Sequence, residues 1–296
     1  CRTPMIKMSW SRLSSSKKSL WLGRVVVLVF LVTCGAGKFR DEKKRRGFLL
    51  TATSLPVDRL ERQESREDDL GALLRDICAT EYPVRAVVGT AREAAAVLTN
   101  RPCDRVEVVV LGGDGQEVGK KMLSLRLFKV GSIASQLPLY PDGTLYLDSD
   151  IALKRGAVGE LFATFDDEMR SRDKAIGLVP APDCQPRGHE LQSVPKKFCE
   201  RNSGAIFFGG DRHANASAAI AREWLAEITK QTSADGHDQM PLRKVLWRHR
   251  EEVADLPDSL QCRSRRPDPG PCVNETLLWH WHHADRVDWA EKNAAL

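Results

Sequence analysis

Asp148 and Asp150 are the residues whose type and spacing point most directly to chemistry. They close the run Thr144-Leu-Tyr-Leu-Asp-Ser-Asp-Ile151 and form the only Asp-x-Asp in the sequence. In an extended segment, side chains at i and i+2 point the same way, so both carboxylates can reach one hard cation. Mg²⁺ and Mn²⁺ prefer oxygen ligands and are often completed by substrate phosphates. The plainer alternative is a strand end followed by a polar turn. Three more constellations follow in order: Arg201-Asn-Ser-Gly-Ala-Ile-Phe-Phe208, His237-Asp-Gln239 and Trp279-His-Trp-His-His283. His280 and His282 would share one face of an extended segment, and either can complete a metal site. A zinc site built from both is a lesser alternative. Each constellation also has an ordinary reading. Asn202-Ser-Gly204 can be a turn before a strand, Asp238 a helix N-cap, and the histidine run an aromatic core strand.

Strands and helices must alternate to bring these residues together. Apolar runs predict strands at Gly47–Thr53, Tyr82–Val88, Arg105–Leu111, Thr144–Leu147, Ala175–Val179, Ala205–Phe208 and Thr276–His282. Helical spacing predicts helices over Leu70–Cys78, Ala91–Leu98, Lys120–Leu137, Val158–Met169, Ala214–Lys230 and Met240–Arg250. Such alternation implies an α/β fold, a mostly parallel sheet flanked by helices. Ligands of open sheets of this kind bind outside the carboxyl ends of the strands, where Asp148 and Asp150 would sit. Residues 180–200, polar and with four prolines, predict a loop over that site.

Charge divides the chain in two. Residues 1–46 carry 12 Lys and Arg against two acids, a net of +10, so the other 250 residues carry −5 of the overall +5. A mildly acidic globular part lacks the basic face of a nucleic-acid binder, so no nucleic-acid partner is expected. The apolar stretch 20–37 has 18 residues and basic flanks, near the lower length limit for a membrane span. The organisation expected is a basic tail over 1–19, a signal anchor over 20–37, a short basic stem over 38–46 and a single domain over 47–296. The alternatives to an anchor are a cleaved signal peptide, with Cys34-Gly-Ala36 as a weak cleavage site, and a buried strand. Beyond that segment stand six cysteines, Cys78, Cys103, Cys184, Cys199, Cys262 and Cys272, with no Cys-x-x-Cys. An even number without metal-type spacing fits disulfides and a secretory route. Two glycosylation sequons, at Asn215 and Asn274, agree with it.

The ordered set resembles nucleotide-diphospho-sugar transferases of the GT-A fold, related to the glycogenin-like and the plant cell-wall galactosyl- and xylosyltransferase groups. Those enzymes carry a basic helix residue, then an apolar strand ending in Asp-(Ser/Ala)-Asp, then Asn-(Ser/Thr)-Gly, then Asp-Gln, then a late histidine. Here these read Lys129, Tyr140-Pro-Asp-Gly-Thr-Leu-Tyr-Leu-Asp-Ser-Asp150, Asn202-Ser203-Gly204, Asp238-Gln239 and His280 or His282. The resemblance spans roughly residues 46–290. It implies catalytic roles for Asn202, Asp238 and Gln239, and donor binding by Lys129, Asp148, Ser149, Asp150 and Gly204. It implies Mn²⁺ or Mg²⁺ on Asp148, Asp150 and a histidine, His282 slightly ahead of His280. The implied activity is that of a metal-dependent hexosyl- or pentosyltransferase. It would use a nucleotide-sugar donor, a UDP-sugar first, and a glycan, protein or lipid acceptor. The implied setting is the Golgi or ER membrane, single-pass type II with the domain in the lumen, or secretion if a signal is cleaved. One departure is visible. The glycogenin-like Gly-x-x-Lys-Pro-Trp tail is replaced by His283-Ala-Asp-Arg-Val-Asp-Trp289, so no diphosphate-binding lysine is assigned from that tail and Arg286 is at most a substitute for it. Two rivals are a sugar nucleotidyltransferase and a non-catalytic carbohydrate-binding protein on the same fold. The first would need a glycine-rich basic loop after strand one, and Thr51-Ala-Thr-Ser-Leu-Pro56 lacks it.

Overall fold

The structure is a computed structural model. It describes residues 29–30, 45–52, 70–99, 102–111, 122–154, 156–180, 193–230, 238–263 and 276–280. The strands are β1 (Val29–Phe30), β2 (Arg46–Ala52), β3 (Val84–Val88), β4 (Val106–Leu111), β5 (Gly143–Asp148), β6 (Ile151–Leu153), β7 (Ile176–Leu178), β8 (Ala205–Phe208), β9 (Val253–Asp255), β10 (Gln261–Arg263) and β11 (Leu278–His280). The helices are α1 (70–78), α2 (Ala91–Thr99), α3 (Met122–Gln136), α4 (Val158–Phe165), α5 (Ala214–Thr229) and α6 (Gln239–Arg248).

The main sheet runs β1-β4-β3-β2-β5-β8-β7-β9. The pairs β4-β3, β3-β2, β2-β5 and β7-β9 are parallel, while β8 runs antiparallel to both its neighbours. Alternation along the central strands assigns the two faces. Phe48, Leu50, Leu145 and Leu147 point into one core with α1, α2 and α4. Leu49 and Tyr146 point into the other with α3, α5 and α6. Because Tyr146 faces the second layer, Asp148, two residues on, faces it too, toward the carboxyl end of β5.

A second sheet, β10-β11-β6, sits beside this edge. Its β11 pairs antiparallel with β6, placing His280 opposite Ile151. That pairing returns the C-terminal histidine segment to the Asp-x-Asp turn. The expected strand Thr144–Leu147 is extended by one residue at each end, and the extended backbone assumed for Asp148–Asp150 in aligning the two carboxylates is not formed. Ser149 and Asp150 make a tight turn between β5 and β6. The expected helix through Met169 ends at Phe165 and passes into a wider π turn, Asp166–Arg170.

A disulfide joins Cys78, at the end of α1, to Cys103, ahead of β4. Cys199 and Cys262 are also disulfide-bonded. The expected anchor over 20–37 lies outside the described residues except for Val29–Phe30, which pair with Val110 and Leu111. No helix among the described residues is long and apolar enough to cross a membrane. His237, His282, His283 and Arg286 lie outside the described residues.

Candidate metal site

Asp148, Asp150 and His280 converge. Each offers one ligand atom, and the three atoms lie within 4.8 Å of one another. His280 Nε2 is 3.3 Å from Asp150 Oδ1, and the ring is buried. Two carboxylates and one imidazole make an oxygen-rich set suited to Mg²⁺ or Mn²⁺. The β5–β6 turn therefore does what an extended Asp-x-Asp was expected to do, by another route. His280, which the sequence pattern placed second to His282, is the histidine of this cluster.

Asn202 and Gly204 hold that imidazole. The Asn202 oxygen accepts the Gly204 N–H at 2.6 Å, and its amide nitrogen stands 3.0 Å from His280 Nδ1. The Gly204 carbonyl in turn accepts the Asp148 N–H at 2.7 Å. A Cβ on Gly204 would come within 2.6 Å of His280 Cε1 and 2.8 Å of Nδ1. Only glycine leaves room for the ring. In this structure, the missing side chain serves the close approach of His280.

The second half of the site is built on Lys129 of α3. Its side chain is 12% exposed, and Nζ lies 3.0 Å from Asp148 Oδ2 and 3.0 Å from Asp238 Oδ2. It also donates to Ser203 Oγ at 3.1 Å. An ammonium has three protons, so these acceptors account for all of them. Burial by itself lowers the lysine pKa, but the Asp148 and Asp238 carboxylates outweigh it and raise the value to about 12. Lys129 is therefore held inside the site rather than solvated on its helix.

Asp238 stands at the N-cap position of α6 without capping it. Its carboxylate accepts from Lys129 and from the Ser203 hydroxyl at 2.8 Å. Burial pushes its pKa up, yet Lys129 and Ser203, with Arg126 at longer range, hold it down at about 2. Its main-chain carbonyl accepts the Trp224 indole N–H at 2.8 Å. The capping role is replaced by an ion pair, and Trp224 of α5 fixes the residue's position.

Asp148 is the contested carboxylate. Tyr146 donates to its Oδ1 at 2.5 Å and lies 2.8 Å from Thr51 Oγ1. Burial of the phenol raises the Tyr146 pKa well above its ordinary value, so the hydroxyl stays a donor. Burial also raises the Asp148 carboxyl above the usual carboxylate range. Lys129, His280 and Tyr146 pull it down while Asp150 adds to the rise, and the rise prevails. The local positive charge is too small for the acids gathered there.

The fold is similar to that of a known glycosyltransferase. The structure of mouse xyloside xylosyltransferase 1, apo form, matches with a TM-score of 0.50 and 15% identity. The match covers 80% of this chain and 97% of that one. At that identity the likeness is one of fold. No family model and no curated protein matches the sequence.

Of the residues expected at the site, Lys129, Asp148, Asp150, Asn202, Gly204, Asp238 and His280 come together in this arrangement. Ser149 lies in the β5–β6 turn and Gln239 opens α6, both half-buried. Sequence reasoning missed the contributions of Ser203, Tyr146, Thr51 and Trp224. Tyr146 had one signal, its i, i+2 relation to Asp148. For the 180–200 loop, residues 193–200 are described. Buried Arg243 donates to the Pro195 and Phe198 carbonyls, and buried Arg201 to that of Cys199.

Proposed function

We propose that this chain is a metal-dependent glycosyltransferase. It would move a sugar from a nucleoside-diphosphate sugar to a glycan, protein or lipid acceptor. The observation that carries the reading is the Asp148–Asp150–His280 cluster beside Lys129, at the carboxyl edge of a sheet with a glycosyltransferase-like fold. Asp148, Asp150 and His280 would hold Mn²⁺ or Mg²⁺. When bound, the cation supplies Lewis-acid stabilisation of a diphosphate leaving group. Asn202 orients His280. Lys129 keeps Asp148 and Asp238 in fixed relation, and Asp238, ionised, is an acceptor for sugar hydroxyls. Gln239 and Ser149 complete the proposed donor site.

The donor class expected first is a UDP-sugar. The name of the mouse protein, a xylosyltransferase, makes a pentose donor the first to test against hexoses. We place the domain in the lumen of the ER or Golgi, held by residues 20–37 as anchor and 38–46 as stem, or secreted if that segment is cleaved. The Cys78–Cys103 disulfide supports an oxidising compartment.

The test is a screen of nucleotide sugars for hydrolysis and transfer, with and without Mn²⁺. Mn²⁺-dependent release of the nucleoside diphosphate, lost in Asp150→Asn, is the expected result. No turnover together with no metal-dependent nucleotide binding overturns the reading.

A further inference from the structure

The sequon Asn215-Ala-Ser217 opens α5, and the fold gives its two key residues opposite surroundings. Asn215, the second residue of the helix, is exposed. Ser217 is fully buried, with its hydroxyl 2.8 Å from the Ala175 carbonyl oxygen and 2.9 Å from that of Gly209. Ala175 precedes β7 and Gly209 follows β8. In the β5–β8 register, Phe208 opposes Thr144 while Ala205 opposes Leu147. The start of α5 therefore lies at the sheet edge away from Asp148, about 13 Å off along the strand. From there α5 runs back to the site, where Trp224 meets Asp238.

We propose that Asn215 is an N-glycosylation site, modified before the domain folds. The donor class is a lipid-linked diphospho-oligosaccharide. The Asn215 amide nitrogen attacks C1 of the first sugar and forms the N–C1 bond. The C1–O bond breaks, the lipid diphosphate leaves with the electron pair, and the amide gives up a proton to solvent or base. No oxidant or reductant is needed. The sequon is read through the hydroxyl of its third residue as well as its Asn. In the folded domain that hydroxyl is closed off against two carbonyls, so transfer is confined to the chain before β7, β8 and α5 close around Ser217. The acceptor side chain stays in solvent after folding. A bulky, solubilising glycan is therefore compatible with the native fold and stands clear of the metal site. The disulfides Cys78–Cys103 and those of Cys199 and Cys262 fit maturation in the compartment that supplies such donors.

The experiment expresses the full chain in eukaryotic cells and follows its gel mobility with and without peptide N-glycosidase. Asn215→Gln and Asn274→Gln are compared separately, and the redox state of Cys78 and Cys103 is read on the same material. The expected result is a glycosidase-sensitive step that Asn215→Gln removes and Asn274→Gln does not. In pulse labelling, that step precedes closure of Cys78–Cys103. A chain with the disulfide closed and Asn215 unmodified overturns this proposal and leaves the lumenal setting standing. A chain with the cysteines reduced and no glycan overturns both. A glycan that appears only after the disulfide has closed overturns the pre-folding order. Nucleotide-sugar turnover is read independently and is unchanged in Asn215→Gln.

Discussion

Two clusters of acids and cations lie on the α3–α5–α6 side of the sheet, one around buried Glu227 with exposed cations and one around largely buried Lys129, with opposite charge balances. On α5, Glu227 is surrounded by Lys230, Lys244 and Arg248, each 2.8 Å away. Hydrogen bonds from Lys230 and Lys244, then Arg248, bring its pKa down to about 2. At the site, one cation, Lys129, serves both Asp148 and Asp238 while Asp150 stands nearby, and the Asp148 carboxyl is pushed up. The first cluster is complete and ties α5 to α6. The second is short of positive charge where a divalent ion would supply it. Perturbed carboxyls mark both structural networks and functional sites; here Asp238 is held down like Glu227, and the raised Asp148 carboxyl is what sets the site apart.

Removing a cation from each cluster gives the largest contrast. Lys129→Met leaves two carboxylates in a closed setting without their partner. Breaking a buried pair in this way costs about 3–5 kcal/mol, and activity is expected to vanish. Lys244→Met leaves Glu227 with Lys230 and Arg248, on half-exposed partners, and is expected to cost less than about 1 kcal/mol. Urea titrations of both variants measure the difference. Equal losses would abolish the distinction.

Metal comes next. Asp150→Asn is expected to keep or slightly raise stability, since it relieves repulsion on Asp148, while turnover falls about 100-fold or more. Wild-type chain should gain about 2.7 kcal/mol with Mn²⁺ at a hundred times its Kd. Asp150→Asn should lose that gain and Glu227→Gln should retain it. Thermal melts with and without Mn²⁺ decide the matter. A gain retained by Asp150→Asn would place the ion elsewhere.

The two clusters should also part with pH. Glu227 has an ordinary value of 4.5 and a folded value of about 2. Its contribution is whole above 4.5 and fades as pH falls toward 2. Glu227→Gln is expected to cost about 1–2 kcal/mol at neutral pH, discounted for its half-exposed partners, and to match wild type near pH 2. Lys129 runs the other way. With an ordinary value of 10.5 and a folded value of about 12, its contribution is whole below 10.5 and fades as pH rises through 12. Stability measured against pH for both variants shows whether the gaps close at opposite ends.

Much of this arrangement was legible because it rests on local patterns. The strand Ala205–Phe208 and the helix from Ala214 follow directly from apolar runs and periodicity. The alternation of Leu145, Tyr146 and Leu147 sets the faces of the central strand. What stayed hidden depends on pairing between distant segments. The three-residue strands Ile151–Leu153 and Gln261–Arg263 carry too little pattern to be seen alone, and they become strands by flanking Leu278–His280. Choosing between His280 and His282 needed that register. The role of Gly204 was equally non-local, since the ring that requires it comes from 76 residues away in the chain. Asp238 read equally well as a cap, because nothing in its neighbourhood of sequence announces Lys129.

The smallest expected effect tests how finely Asp148 is held. Tyr146 is fully buried, and its hydroxyl links Thr51 to Asp148 Oδ1. Tyr146→Phe keeps the ring in its core and beneath Lys129, whose Nζ lies 5.5 Å from the ring centroid. It removes one donor from a carboxylate that is already short of positive partners and leaves the Thr51 hydroxyl to find another acceptor. The loss of such a bond is worth about 1 kcal/mol net. Mn²⁺ affinity, read by calorimetry, is expected to fall roughly fivefold with little change in fold stability. A loss as large as that of Asp150→Asn would show that the phenol, rather than the carboxylate geometry alone, governs the metal site. No change in affinity would show that Lys129 and the Gly204 carbonyl suffice to set Asp148.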